Sequence, residues 1–193
     1  MTHHFAVIDL GSNSARMTIW EIEQEVVKPI KRLKEMVRLS EDMGPDRVLQ
    51  PAAMDRTLKA LQGFKTELNK YADIDLKAVA TAAVRQAKNQ KEFLKRVKNE
   101  AGLIINVIPG TREAEYDFLG VINTLPIQNA LIMDTGGAST ELILVQNRKL
   151  QHLVSIPFGS VNLSERFLNP DVISAPEYFA LSTFILSLIH ISE

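Results

Sequence analysis

The sequence predicts an α/β protein of two similar lobes, the second only begun, and three observations carry that prediction. Residues 5–22, FAVIDLGSNSARMTIWEI, recur in pattern as residues 130–146, ALIMDTGGASTELILVQ. Placing Asp9 on Asp134, an offset of 125, also places Gly11 on Gly136 and Ser14 on Ser139, and sets Arg16 against Glu141. Between residues 76 and 134, apolar strands alternate with helical segments, the pattern of an α/β chain. Finally, about 65 residues follow the connection TLPIQN at 124–129, where a lobe matching the first needs about 125. The expected division is a first lobe at 1–125, the start of a second at 126–185, and a non-native tail at 186–193.

The elements follow in order. Residues 5–10 form a continuous apolar run containing Asp9, residues 11–14 (GSNS) supply a turn, and residues 15–22 resume with Met17, Ile19 and Ile22 interleaved with polar positions. Pro29 argues against a helix across 25–39, which reads as a third long strand. From Pro51, apolar residues recur every three or four positions at Met54, Leu58, Leu61, Phe64, Leu68 and Tyr71, an amphipathic helix with proline in its first turn. A strand at 76–81 leads into 82–87, which holds Arg85. A helix at 89–101 stops at Gly102, and a strand at 103–108 closes on Pro109-Gly110. Residues 111–122 form a helix with Thr111 as its N-cap and Glu113 in its first turn, where a carboxylate complements the helix dipole. After the second hairpin, a turn at 147–149, a strand at 150–157 and a helix through Leu163 and Phe167 follow.

Composition narrows the chemistry. The chain has 193 residues, 46% hydrophobic and 23% charged, ordinary for a soluble globular protein. It contains no cysteine, so thiolate ligands and thiol nucleophiles are excluded and oxygen and nitrogen groups must act. The net charge of −1 supplies no global basic field, so any anion site is local and a nucleic-acid partner is not expected. The start, MTHHF, lacks a signal-peptide pattern, and the apolar stretch at 178–191 is broken by Ser182, Thr183, Ser187 and His190, short of the ~20 residues of a membrane span. A cytoplasmic protein is expected.

Each repeated hairpin puts an Asp at a strand end and small residues at a turn, which lets backbone N–H groups approach an anion. Two such turns suggest phosphate or metal-phosphate held between two lobes. Structural alternatives exist for each candidate: Asp9 and Asp134 can initiate turns, Glu113 can merely complement its helix dipole, and Arg16, Arg38 and Arg85 can form ion pairs.

Six blocks carry a wider resemblance: DLGSNSARMTI from Asp9, VRL from Val37, ATAAVRQAKN from Ala80, PGTREAEYDFLGV from Pro109, DTGGASTEL from Asp134 and PFGSVNLSERF from Pro157. In this order they resemble the exopolyphosphatase/guanosine pentaphosphate phosphatase family. The resemblance implies the actin-like ATPase superfold, with ribonuclease-H-like lobes, mixed sheets flanked by helices, and the phosphate chain in the cleft. It implies hydrolysis of a terminal phosphoanhydride of inorganic polyphosphate or guanosine pentaphosphate, with Mg2+ or Mn2+ as cofactor.

By the same resemblance Glu113 is the catalytic base, and Asp9, Asp134 and Glu141 serve the metal, hard oxygen ligands for a hard cation. Gly11, Ser12, Asn13 and Ser14, with Gly136, Gly137, Ala138, Ser139 and Thr140, form the phosphate-binding turns, and Arg16, Arg38 and Arg85 contact phosphate through guanidinium forks. Homodimerisation of the full-length protein is compatible with this reading. Two positions depart from the family's pattern: Ala138 stands where a third glycine is usual, and Arg112 replaces the first of two adjacent acids. A sugar kinase or ATPase of the same fold, and a non-catalytic polyphosphate or alarmone-binding regulator, are the competing readings.

Overall fold

The computed structural model describes residues 3–24, 26–168 and 172–188. In chain order these form β1 (His3–Leu10), β2 (Ser14–Glu23), β3 (Val26–Met36), α1 (Pro51–Leu68), β4 (Ile74–Ala80), α2 (Ala82–Gln86), α3 (Gln90–Arg96), β5 (Asn106–Val107), α4 (Gly110–Thr124), β6 (Ala130–Thr135), β7 (Thr140–Gln146), β8 (Lys149–Ile156), α5 (Ser160–Phe167) and α6 (Ala175–Ser187). The first sheet runs β3-β2-β1-β4-β5 and the second β6-β7-β8. β1, β2 and β3 are mutually antiparallel, whereas β4 joins β1 and β5 joins β4 in parallel. This order and these directions make the ribonuclease-H-like lobe of the actin-like ATPase fold.

The first core lies between one face of this sheet and α1 with α3. Ala6, Ile8 and Leu10 of β1 and Ala15, Met17 and Ile19 of β2 are buried against Leu58, Leu61 and Phe64 of α1 and Phe93 of α3. Each large side chain so buried contributes about 1.5–3 kcal/mol. The period of two along the strands meets the period of three to four along α1, which is why this face closes. Pro29 is tolerated because β3 is an edge strand and a bulge falls at the opposing Ile19/Trp20 step.

The repeat is real in three dimensions. β6-β7-β8 reproduces β1-β2-β3, and its bulge lies between Leu144 and Val145, at the 125-residue offset from the first. A smaller core forms where Ala114 and Ile122 of α4 meet Ile143 and Val145 of β7. Thus α4 packs on the second sheet while its Tyr116 hydroxyl, 2.8 Å away, accepts a hydrogen bond from Lys77 of β4. That span carries Glu113 across the gap between the sheets.

Three local expectations are corrected. The strand expected at 103–108 pairs only at Asn106 and Val107, because Leu103 and Ile105 are drawn into the first core instead. The helix expected at 89–101 is α over Gln90–Arg96 and then a π-helical turn over Val97–Ala101, which ends at Gly102 with φ of +63°. Thr111 is not an N-cap: α4 starts at Gly110 with Pro109 in the capping position. The expected tail overlaps α6 at Leu186 and Ser187, and 189–193 lie outside the described residues.

Candidate active site

The two hairpin tips face one another. Gly11 N–H donates to Ser14 C=O at 3.0 Å, and Gly136 N–H donates to Ser139 C=O at 2.9 Å, so both turns close in the same way. No residue of either turn has a left-handed backbone. The glycines are needed for close approach: a Cβ on Gly137 would stand 3.0 Å from Ser12 Cβ and 3.2 Å from Val161 Cγ2. Ala138 is buried with negative φ, so the methyl group that departs from the family's glycine is accommodated without strain.

The turns present their N–H groups because their carbonyls are occupied elsewhere. Ser12 C=O accepts from Ser40 N–H at 3.0 Å and Asn13 C=O from Arg38 N–H at 2.9 Å. In a planar trans peptide the next N–H points the opposite way, so those of Asn13 and Ser14 turn away from the 38–40 segment. In the second turn, Gly136 C=O accepts from Ser160 N–H and Gly137 C=O from Val161 N–H, both at 2.9 Å, at the start of α5. Gln86 Nε2 donates to Ala138 C=O at 3.1 Å across the gap. Gly159 permits this: a Cβ there would overlap the backbone of Gly136, Gly137 and Ala138.

Acidic groups gather around these tips. Arg85 Nη1 donates to Glu113 Oε2 at 3.0 Å and to Ile108 C=O at 2.9 Å. Burial raises the Glu113 pKa, Glu141 and Asp9 add repulsion, and Arg85 opposes the rise. Glu141 is 2% exposed. Its Oε1 accepts from Ser155 Oγ at 2.7 Å and its Oε2 from Ser139 Oγ at 3.4 Å, yet burial holds its pKa above the usual range. Asp9, opposite Arg16 in the β1–β2 register, is raised by burial and by Asp134 against the pull of Arg16. Asp134 is exposed and lies opposite Glu141.

The structure therefore brings together Asp9, Glu113, Asp134, Glu141, Arg85 and both turns. Arg16 is exposed beside Asp9. Arg38 is also exposed, and its Nη1 stands 3.7 Å from Glu41. The Thr140 hydroxyl is committed to Phe158 C=O at 2.8 Å, and Arg112 turns aside to Glu115 at 2.6 Å.

Sequence reasoning missed three participants: Ser155, Gln86 and Asp117. Asp117 lies four residues after Glu113, on the same face of α4. Burial first, then Asp134, Glu141, Glu113 and Asp9, push its pKa up to about 7. Its Oδ2 is buried with no hydrogen-bond partner. The i,i+4 spacing is the signal that could have found it.

The donor chemistry fits a hard divalent cation: five carboxylates crowd one region, burial and then mutual repulsion raise the pKa of Asp9, Glu113, Asp117 and Glu141, and one buried oxygen lacks a partner. Among the described residues, no three such side chains already converge closely enough to hold a metal by themselves. Water and substrate oxygens would complete the set, as is usual for magnesium. No helix among the described residues is long and apolar enough to cross a membrane.

The chain is similar to several known proteins. A bifunctional 3-dehydroquinate synthase/phosphatase of Fusobacterium nucleatum is 35% identical over 172 residues, covering 84% of this chain and 26% of its own. A guanosine-5'-triphosphate,3'-diphosphate pyrophosphatase of Pseudoalteromonas atlantica is 34% identical over 177 residues, covering 91% of this chain and 35% of its own. This chain thus spans about a third or less of these relatives. The crystal structure of an exopolyphosphatase from Cytophaga hutchinsonii superposes with a TM-score of 0.92 at 28% identity, covering 97% of this chain and 61% of that one. Residues 18–189 match the Ppx/GppA phosphatase family, and the chain belongs to that family.

Proposed function

We propose that the full protein hydrolyses the terminal phosphoanhydride bond of inorganic polyphosphate. One observation carries this reading: Glu113, its pKa raised by burial, stands near two facing turns of backbone donors and is held by Arg85 through a single oxygen. The raised pKa makes it a stronger base than a free glutamate. With Oε2 on Arg85, Oε1 is left to accept the proton of an attacking water. The N–H groups of Asn13, Ser14, Gly137 and Ala138 are the donors to phosphoryl oxygens, and this stabilises charge where it develops.

Asp134, Glu141 and Asp9, with Asp117, would hold Mg2+ or Mn2+. When bound, the cation neutralises charge on the transferring phosphoryl group. Ser155 and Ser139 fix the Glu141 carboxylate from behind, and a cytoplasmic, homodimeric full-length protein is part of the proposal. The second reading is a guanosine pentaphosphate phosphatase, favoured by the name of the Pseudoalteromonas relative.

The test uses the full-length protein with long-chain polyphosphate and Mg2+, measuring released orthophosphate beside guanosine pentaphosphate. Glu113→Gln is expected to lower turnover about 10²–10⁴-fold. An unchanged rate would reduce Glu113 to a helix-dipole residue, and tight polyphosphate binding without hydrolysis would leave a non-catalytic regulator.

A further inference from the structure

We propose that the exposed face of β2 and β3 is a second anion subsite, a cationic stripe of Arg16, Lys34 and Arg32 that holds the phosphate chain beyond the scissile bond; this rests on the polyphosphate reading above. The strand register puts Arg16 directly opposite Lys34, and Thr18 directly opposite Arg32. Because side chains alternate across a strand, these four share one face, and the apolar Ala15, Met17 and Ile19 take the other. Arg16, Lys34 and Arg32 are all exposed. Among the described residues none of the three has a carboxylate within ion-pair distance.

Like charges directly opposite one another destabilise a sheet, so this pairing has no structural benefit of its own. An anion lying across both strands converts that repulsion into attraction. The stripe is continuous with the active site, since Arg16 is also opposite Asp9. From there it leads outward to Lys34, one strand spacing of about 4.8 Å away, and then two residues along β3 to Arg32. A linear polyphosphate has evenly spaced charge at each unit and no feature besides charge to recognise, which suits a row of long cationic side chains. A short phosphate chain would end before reaching Arg32.

The experiment compares wild type with the Lys34→Gln, Arg32→Gln double variant in the full-length protein. Lys31→Gln serves as charge control, because Lys31 sits toward α1, 4.0 Å from Glu67. Two readouts are taken: KM for long-chain polyphosphate against KM for tripolyphosphate, and equilibrium binding of long-chain polyphosphate as a function of salt. The double variant is expected to raise the long-chain KM about tenfold more than the tripolyphosphate KM. Its plot of log affinity against log salt should lose a slope of about 0.7–0.9 per cation removed, while Lys31→Gln keeps the wild-type slope. Equal changes for both substrates, or a slope the same in all three proteins, would overturn the stripe. If no orthophosphate is released, the hydrolase reading fails separately and the binding slope still decides this one.

Discussion

The hairpins β1–β2 and β6–β7 share register, closing hydrogen bond and even the position of the bulge in the next strand pair, yet their chemistry is opposite. In the first, Asp9 lies across from an exposed Arg16; in the second, Asp134 lies across from a buried Glu141. Their support differs as well. Backbone N–H groups of Arg38 and Ser40 fasten the first turn, whereas the second depends on the start of α5 and on a single side chain, Gln86, from the other lobe. A duplicated scaffold thus supplies geometry twice, and substitution at one cross-strand position divides the labour between cationic and anionic contacts. The second turn, whose ties come from α5 and from the other lobe, is the one that should respond most to substitutions outside its own hairpin.

Gly159→Val should break it most. Any Cβ there overlaps the second turn's backbone, and overpacking of that kind costs about 3 kcal/mol. Trp20, the single tryptophan, lies on β2 in the first sheet. Its emission should therefore report a smaller loss than far-UV circular dichroism, which follows both sheets. Equal losses by both probes would show the two hairpins to be one cooperative unit.

Asp117→Asn is expected to act next, and in the stabilising direction. The folded-state pKa of about 7 lies above the ordinary 3.8, so the native state binds this proton more tightly than the unfolded chain does. Its carboxyl therefore costs nothing below pH 4, and the cost grows as pH rises to about 7 and stays above it. Discounted for solvent screening, the variant should gain on the order of 1–2 kcal/mol at pH 8 without metal, shrinking toward zero at pH 4. Thermal melts across that range check it, and a gain constant with pH would mean that charge is not the cause. Added Mg2+ should raise the wild-type melting temperature more than that of the variant.

The repeat makes both hairpins legible in the amino-acid sequence, because a period of two, a terminal Asp and a small-residue turn are all local signals. α1 is legible for the same reason, its buried Met54, Leu58, Leu61, Phe64 and Leu68 tracing the predicted stripe. What local pattern cannot convey is which apolar residues pair and which merely pack; Leu103 and Ile105 look like a strand and serve as core. Nor does it reveal partners across the gap. Ser155 reaches Glu141 from 14 residues away and Gln86 reaches Ala138 from 52, separations at which the intervening fold sets the approach. Glu113 is marked by its place in the block that starts at Pro109, while Asp117, one turn later in the same block, offers only its i,i+4 spacing and takes its significance from its burial among the surrounding carboxylates.

Gln86→Ala is the mildest test of the contrast between the turns. Removing the amide leaves Ala138 C=O, the carbonyl of the 138–139 peptide, without its donor from the first lobe. That peptide could then rotate, turning a carbonyl toward the phosphate where the wild type does not. A single lost hydrogen bond is worth about 0.5–1.5 kcal/mol, so substrate affinity should fall several-fold. The effect should appear in KM more than in turnover, because Glu113 and Arg85 are untouched. Gln86→Glu should be worse than Gln86→Ala, since a carboxylate cannot donate and repels the Ala138 carbonyl oxygen. If the alanine and glutamate variants are equal, Gln86 packs rather than orients, and the second turn holds its shape as independently as the first.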